Sequence, residues 1–67
     1  MKTIIDKHRK AAKYLEDAAQ YHRVAARFHE ANNHHKAINR TLIALGNTAE
    51  ACSIQNEISN QYLNTNK

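Results

Sequence analysis

Lys7-His8-Arg9-Lys10-Ala11-Ala12, Tyr14-Leu15-Glu16-Asp17-Ala18-Ala19, Tyr21-His22-Arg23-Val24-Ala25-Ala26 and Phe28-His29-Glu30 are four statements of one seven-residue phrase. Small or apolar groups recurring at steps of three and four mark a helix built to pack along a seam. The apolar stripe expected of this helix is Ile4, His8, Ala11, Leu15, Ala18, His22, Ala25 and His29. A second row, Ile5, Ala12, Ala19 and Ala26, widens it, and Tyr14, Tyr21 and Phe28 border its other side. Arg9, Lys13, Glu16, Arg23, Arg27 and Glu30 lie mainly opposite.

Working outward from the phrase, the 67 residues contain no proline and one glycine, which favours helix throughout. The first helix is predicted from about residue 3 to 31. Asn32-Asn33 breaks its pattern, because asparagine tolerates left-handed backbone and caps helices. A second helix is predicted from about 34 to 63. Its seam row is Ala37, Thr41, Ala44, Thr48, Ala51, Gln55, Ile58 and Tyr62, with Ile38, Leu42, Leu45, Ala49 and Cys52 beside it. The repeat keeps its phase across Gly46, which favours one continuous helix. The alternative is three helices broken at Gly46, with Asn47 as an N-cap and Glu50 completing a capping box. In a continuous hairpin Gly46 is expected near Gln20 and Tyr21, where a missing side chain would permit close approach.

The fold class is therefore all-α: one antiparallel two-helix hairpin domain over residues 1–67. A chain this short buries only about 60% of its unfolded surface and is marginal alone. Two such wide stripes exceed what one hairpin can cover, so dimerisation into a four-helix bundle is expected. The dimer seam is assigned to Ala11, Leu15, Ala18, Ala19, His22 and Ala25, with His22 buried.

Charge bears on partners. The net charge is +4 and the calculated pI about 9.5, which permits an anionic partner without requiring one. Lys2, Lys7, Arg9, Lys10 and Lys13 crowd the start, whereas from Thr41 to Asn66 only Glu50 and Glu57 are charged. Antiparallel pairing would set the basic start beside the acidic end. Arg9, Lys13, Arg23 and Arg27 are the candidate phosphate-binding residues if RNA is the partner.

Histidines are the candidate metal ligands. His8, His29, His34 and His35 are singled out, because antiparallel pairing of two first helices would bring His8 near His29 of the other copy. His34 and His35, with Glu30, stand near the turn. Spacings of seven or more put the histidines of one helix about 10 Å or more apart, so His22 and His29 of one helix cannot share an ion. No cofactor is required by any motif; a divalent metal is the one candidate. Cys52 rules out an internal disulfide, and as a small core residue it is expected buried. One thiol, no apolar leader and no run of about 20 apolar residues point to a cytoplasmic protein without membrane contact. Nothing in the sequence has the arrangement of an active site, so a non-enzymatic protein is expected, with itself, RNA or another protein as partner.

The Tyr/Phe-His-x-x-Ala-Ala phrases, followed by Glu30-Ala31-Asn32-Asn33-His34-His35-Lys36-Ala37, resemble a group of small alanine- and histidine-rich bacterial helical-hairpin proteins of unknown function. The plan is also similar to the Rop proteins, helical hairpins that dimerise into four-helix bundles and bind paired RNA loops. That resemblance implies architecture, since no RNA-contact motif matches. Tyr21, Val24, Ala25, Phe28, Ala37 and Ala44 fall at spacings similar to a tetratricopeptide repeat, but Thr41 departs from it and no second repeat follows.

Overall fold

The computed structural model describes residues 2–65, so Met1, Asn66 and Lys67 of the expected domain lie outside the described residues, as do the side chains of Lys2 and Thr65. Two helices make up the chain, α1 (Lys2–Glu30) and α2 (His34–Thr65). At 29 and 32 residues they run roughly 43 and 48 Å. They pack side by side in a body measuring 53 × 16 × 11 Å between Cα atoms. The helical hairpin expected from the sequence is what the chain forms, and α2 passes through Gly46 without a break.

The reversal is built from two asparagines with different tasks. Asn32 adopts a left-handed backbone, φ 59°, which an L-residue enters at a cost that asparagine and glycine best tolerate. The Asn33 amide donates to the Phe28 carbonyl at 2.8 Å, and the Asn32 amide to the His29 carbonyl at 3.0 Å. This pair of bonds is the Schellman motif, which satisfies carbonyls stranded at a helix end. Asn33 then serves as N-cap of α2. Its side-chain oxygen accepts from the Lys36 amide at 3.4 Å, and its carbonyl accepts from the Ala37 amide at 3.1 Å.

Between the helices the seam is a strict heptad. The buried residues are Ile4, Ala11, Ala18 and Ala25 on α1, and Ala37, Ala44, Ala51 and Ile58 on α2. No larger side chain is fully buried. Two contacts set the register. The Lys7 Nζ donates to Gln61 Oε1 at 3.3 Å near the open end, and the Arg40 guanidinium lies 5.8 Å from the Phe28 ring centre near the turn. Stepping inward by heptads places Tyr14 level with Ile54 and Tyr21 level with Asn47, and all eight of these residues are half-buried. Alanine layers thus alternate with layers of one larger α1 side chain and its α2 counterpart. An alanine methyl keeps the backbones close, and the longer side chains lie over the gap.

This corrects the expected stripe on α1. Ile4, Ala11, Ala18 and Ala25 belong to it, but the companion row is Lys7, Tyr14, Tyr21 and Phe28. His8, Leu15, His22 and His29 are exposed. On α2 the same holds: Thr48, Gln55 and Tyr62 are exposed, as are Ile38, Leu42, Leu45, Ala49 and Cys52. One partner helix covers only a narrow strip of an α-helix, and the alanine row already occupies it. Cys52 is therefore a surface thiol, not a core residue. Gly46 is exposed, and a Cβ placed on it would meet nothing within 4 Å, so it marks no close approach. Thr41 and Thr48 do bond back to the Ala37 and Ala44 carbonyls, at 2.9 and 3.0 Å, as threonines inside helices do.

The charge pairing expected between the basic start and the acidic end is not formed. Among the described residues the one ion pair is Lys13–Asp17, 3.1 Å apart within α1. The open end is held by neutral partners, Gln61 accepting from Lys7 and the Tyr62 hydroxyl hydrogen-bonded to His8.

Two expectations for stability follow. Gly46→Ala should raise stability by about 0.8–1 kcal/mol through helix propensity, whereas Ala44→Leu should lower it by about 1–3 kcal/mol by forcing the helices apart. Denaturant melts followed by circular dichroism check both, and an Ala44→Leu protein as stable as the parent would contradict the close seam. At the turn, Asn33→Ala should cost about 1 kcal/mol through loss of the cap. Asn32→Gly should be neutral or stabilising, and Asn32→Ala should cost about 1–2 kcal/mol because its Cβ opposes left-handed backbone.

Candidate functional site

The hairpin has two unlike broad faces, and the seam decides which residue lies on which. Four positions after each α1 alanine stand Leu15, His22 and His29, with His8 in the same row. The matching α2 row is His34, Thr41, Thr48, Gln55 and Tyr62. In antiparallel helices these two rows flank one side of the seam. Contacts at both ends show it: His8 Nε2 is 3.0 Å from the Tyr62 hydroxyl, and His29 Nδ1 is 2.6 Å from His34 Nδ1. Between these ends a shallow groove of about 280 Å³ is lined by His8, Ala11, Ala12, Leu15, Gln55 and Ile58.

Large apolar side chains that the seam leaves out lie on this side of the hairpin, Ile5, Leu15 and Tyr62 toward the groove and Ile38 and Leu45 farther along α2 toward the turn. Leu42 and Leu63 stand farther around α2 and are 62% and 61% exposed. Ile43, on the other face, is the remaining large apolar residue exposed among those described. Ala12, Ala19 and Ala26 supply a smooth strip on α1. Isolated exposed leucines are ordinary, but seven large apolar side chains exposed on this side of so small a chain are an excess over what the seam covers.

Of the six residues assigned to a seam between copies, the structure divides the set. Ala11, Ala18 and Ala25 are buried against α2 of their own chain. They form part of the seam within the hairpin, Ala11 also at the floor of the groove. Leu15, Ala19 and His22 remain on the exposed face. His22 is thus not a buried histidine in this chain.

The opposite face and the outer side of α1 are charged. Arg9, Lys13, Arg23 and Arg27 are all exposed there. They do not form an unbroken basic stripe, because Glu16 stands between Arg9 and Arg23 in the same row and Glu30 follows. Lys13 is engaged by Asp17, whose hydrogen bond and then charge raise the lysine above its ordinary pKa. Such an exposed pair adds little to stability. A basic hollow beside Thr3, Asp6, Lys7, Arg9, Lys10 and Lys13 lies on this side.

The four candidate metal ligands part company. His29 and His34 meet across the turn with ring centres 4.9 Å apart. His8 sits at the far end against Tyr62, and His35 is exposed on the outer side of α2. Among the described residues no three His, Cys, Asp or Glu side chains converge on one point. The His29–His34 approach was not visible to helical periodicity, since the two residues are five apart and belong to different helices. The left-handed Asn32 is what folds one toward the other.

Among the described residues no helix is long and apolar enough to cross a membrane. Comparisons with protein-family models, curated proteins and solved structures found no match.

Proposed function

We propose that this protein is a non-enzymatic cytoplasmic bundle protein that acts by assembly, two hairpins packing through their apolar faces into a homodimeric four-helix bundle. The observation that carries the reading is that Ile5, Leu15, Ile38, Leu42, Leu45, Tyr62 and Leu63 stay exposed while the seam buries nothing larger than isoleucine. Eight buried residues, six of them alanine, are a thin core for a chain of 67 residues: an alanine methyl contributes on the order of 0.8 kcal/mol when buried. A second copy offers the same apolar side and so supplies its own complement, as a two-fold interface requires. The size fits as well. A face 53 by 16 Å presents roughly 800 Å², the standard share of each partner in a stable complex.

The charged outer side of α1 would stay in water in such a dimer. Its alternation of Arg9, Glu16, Arg23 and Glu30 gives no reason to prefer an RNA-binding regulator, the reading that the likeness to Rop would favour. Assembly and not catalysis is the activity this surface serves.

Light scattering behind size exclusion tests the reading. The protein should run at twice 7.7 kDa at micromolar concentration, and its melting temperature should rise with concentration. Leu42→Glu with Leu45→Glu should yield a helical but less stable monomer. Both side chains are more than half exposed in the hairpin, so the loss cannot come from the intrachain seam. Arg9→Glu should leave the dimer unchanged. A wild-type protein that is monomeric and equally stable at all concentrations would overturn the proposal.

A further inference from the structure

The turn end of the hairpin carries a feature that neither the seam nor the apolar face requires. His29, in the last turn of α1, and His34, the first residue of α2, point Nδ1 at Nδ1 across 2.6 Å. Both residues are exposed, so burial does not press them together. Their backbones are instead held by the Schellman bonds around Asn32 and by the Asn33 cap. Two neutral imidazoles can occupy this geometry only if one nitrogen carries a proton and the other accepts it. When the donor ring takes the tautomer with its proton on Nε2, both Nδ1 lone pairs face the same gap, the arrangement a metal ion uses.

We propose that His29 and His34 form a two-histidine site for a divalent transition-metal ion of the copper, nickel and zinc class, clamped across the turn through both Nδ1 atoms. The class follows from the donors. Imidazole nitrogen suits these borderline ions, whereas calcium and magnesium take oxygen. The distance is suitable too. With metal–nitrogen bonds of about 2.0–2.1 Å, two nitrogens sit about 2.9 Å apart at a right angle and about 3.4 Å apart at a tetrahedral one. Opening the rings from 2.6 Å needs only a small rotation of two exposed side chains. Solvent fills the remaining coordination positions. The site lies within one chain, so it does not rest on the proposed dimer.

Bound metal would join the end of α1 to the start of α2 and so stabilise the reversal itself. Each ring binds as a neutral imidazole with its one proton on Nε2, so the Nδ1 proton of the donor ring moves to that ring's Nε2, and binding competes with protonation of the rings and weakens in acid. The affinity order should follow donor chemistry, with Cu²⁺ above Ni²⁺ and Zn²⁺.

The test uses the full chain without a purification tag, titrated with Cu²⁺, Ni²⁺ and Zn²⁺ by calorimetry and by nitrogen-15 histidine spectra. One ion per chain is expected, with the Nδ1 resonances of His29 and His34 moving on Zn²⁺ addition and the melting temperature rising. His29→Ala and His34→Ala should each weaken binding at least tenfold while keeping helical content by circular dichroism. His8→Ala and His35→Ala should bind as the parent does. Leu42→Glu with Leu45→Glu should bind equally well, which separates this site from the fate of the dimer. No saturable binding, binding through Nε2 alone, or an equal loss in the His35→Ala protein would overturn the proposal.

Discussion

Everything else in this molecule depends on how closely two helices can approach where they meet through alanine. A seam of Ala11, Ala18 and Ala25 against Ala37, Ala44 and Ala51, closed by Ile4 and Ile58, leaves no room for a thick core. Close approach gives each helix only a narrow covered strip. The half-buried rings of Tyr14, Tyr21 and Phe28 then lie over the gap from one side and Arg40, Asn47, Ile54 and Gln61 level with them from the other. The consequence is an excess. Leucines and isoleucines that a bulkier seam would have drawn inward are left on the surface of α2.

That excess is not spread evenly, and its distribution separates the two faces. The side carrying Leu15, Ala19 and His22 on α1 carries Ile38 and Leu45 on α2, while the outer side of α1 alternates arginine with glutamate. The hairpin thus leaves its large apolar side chains mostly on one side and its arginine–glutamate row on the other. The proposed dimer answers this by covering the surface that the alanine seam displaces. The charged face needs no partner, since water solvates it at little cost.

How much of this was legible before the structure turns on particular residues. The hairpin, the turn at Asn32-Asn33, the unbroken α2 and the alanine rows could be read, because composition, a seven-residue period and asparagine's backbone preferences agree. The companion row is legible only in part, as the aromatic border of Tyr14, Tyr21 and Phe28, half-buried in the hairpin. Each alanine has neighbours three and four residues away, and His8, Leu15, His22 and His29 look as plausible on one side as Lys7, Tyr14, Tyr21 and Phe28 on the other. Hydrophobicity favoured the row holding leucine, but geometry selected the row holding large amphipathic rings. On α2 the true row of Arg40, Asn47, Ile54 and Gln61 is nearly invisible to any apolar count. The one available signal was an aromatic at the same heptad position in three successive phrases. The same small phase error placed Cys52 in the core, whereas it is exposed on the hairpin.

The turn shows a different limit. Periodicity relates residues on one helix, and it says that histidines seven or fourteen apart stay far apart. It is silent on two residues that a left-handed asparagine brings face to face. His29 closes α1 and His34 opens α2, and their meeting depends on Asn32 at φ 59° and on the Asn33 cap. With the backbone set by those bonds, the imidazoles need little further ordering to share a proton or an ion. Preorganisation of this kind reduces the entropy lost on binding. A reversal that already satisfies its own carbonyls and amides therefore carries the pair as a surplus, and a surplus of donor atoms on a rigid turn is what a metal ion can use.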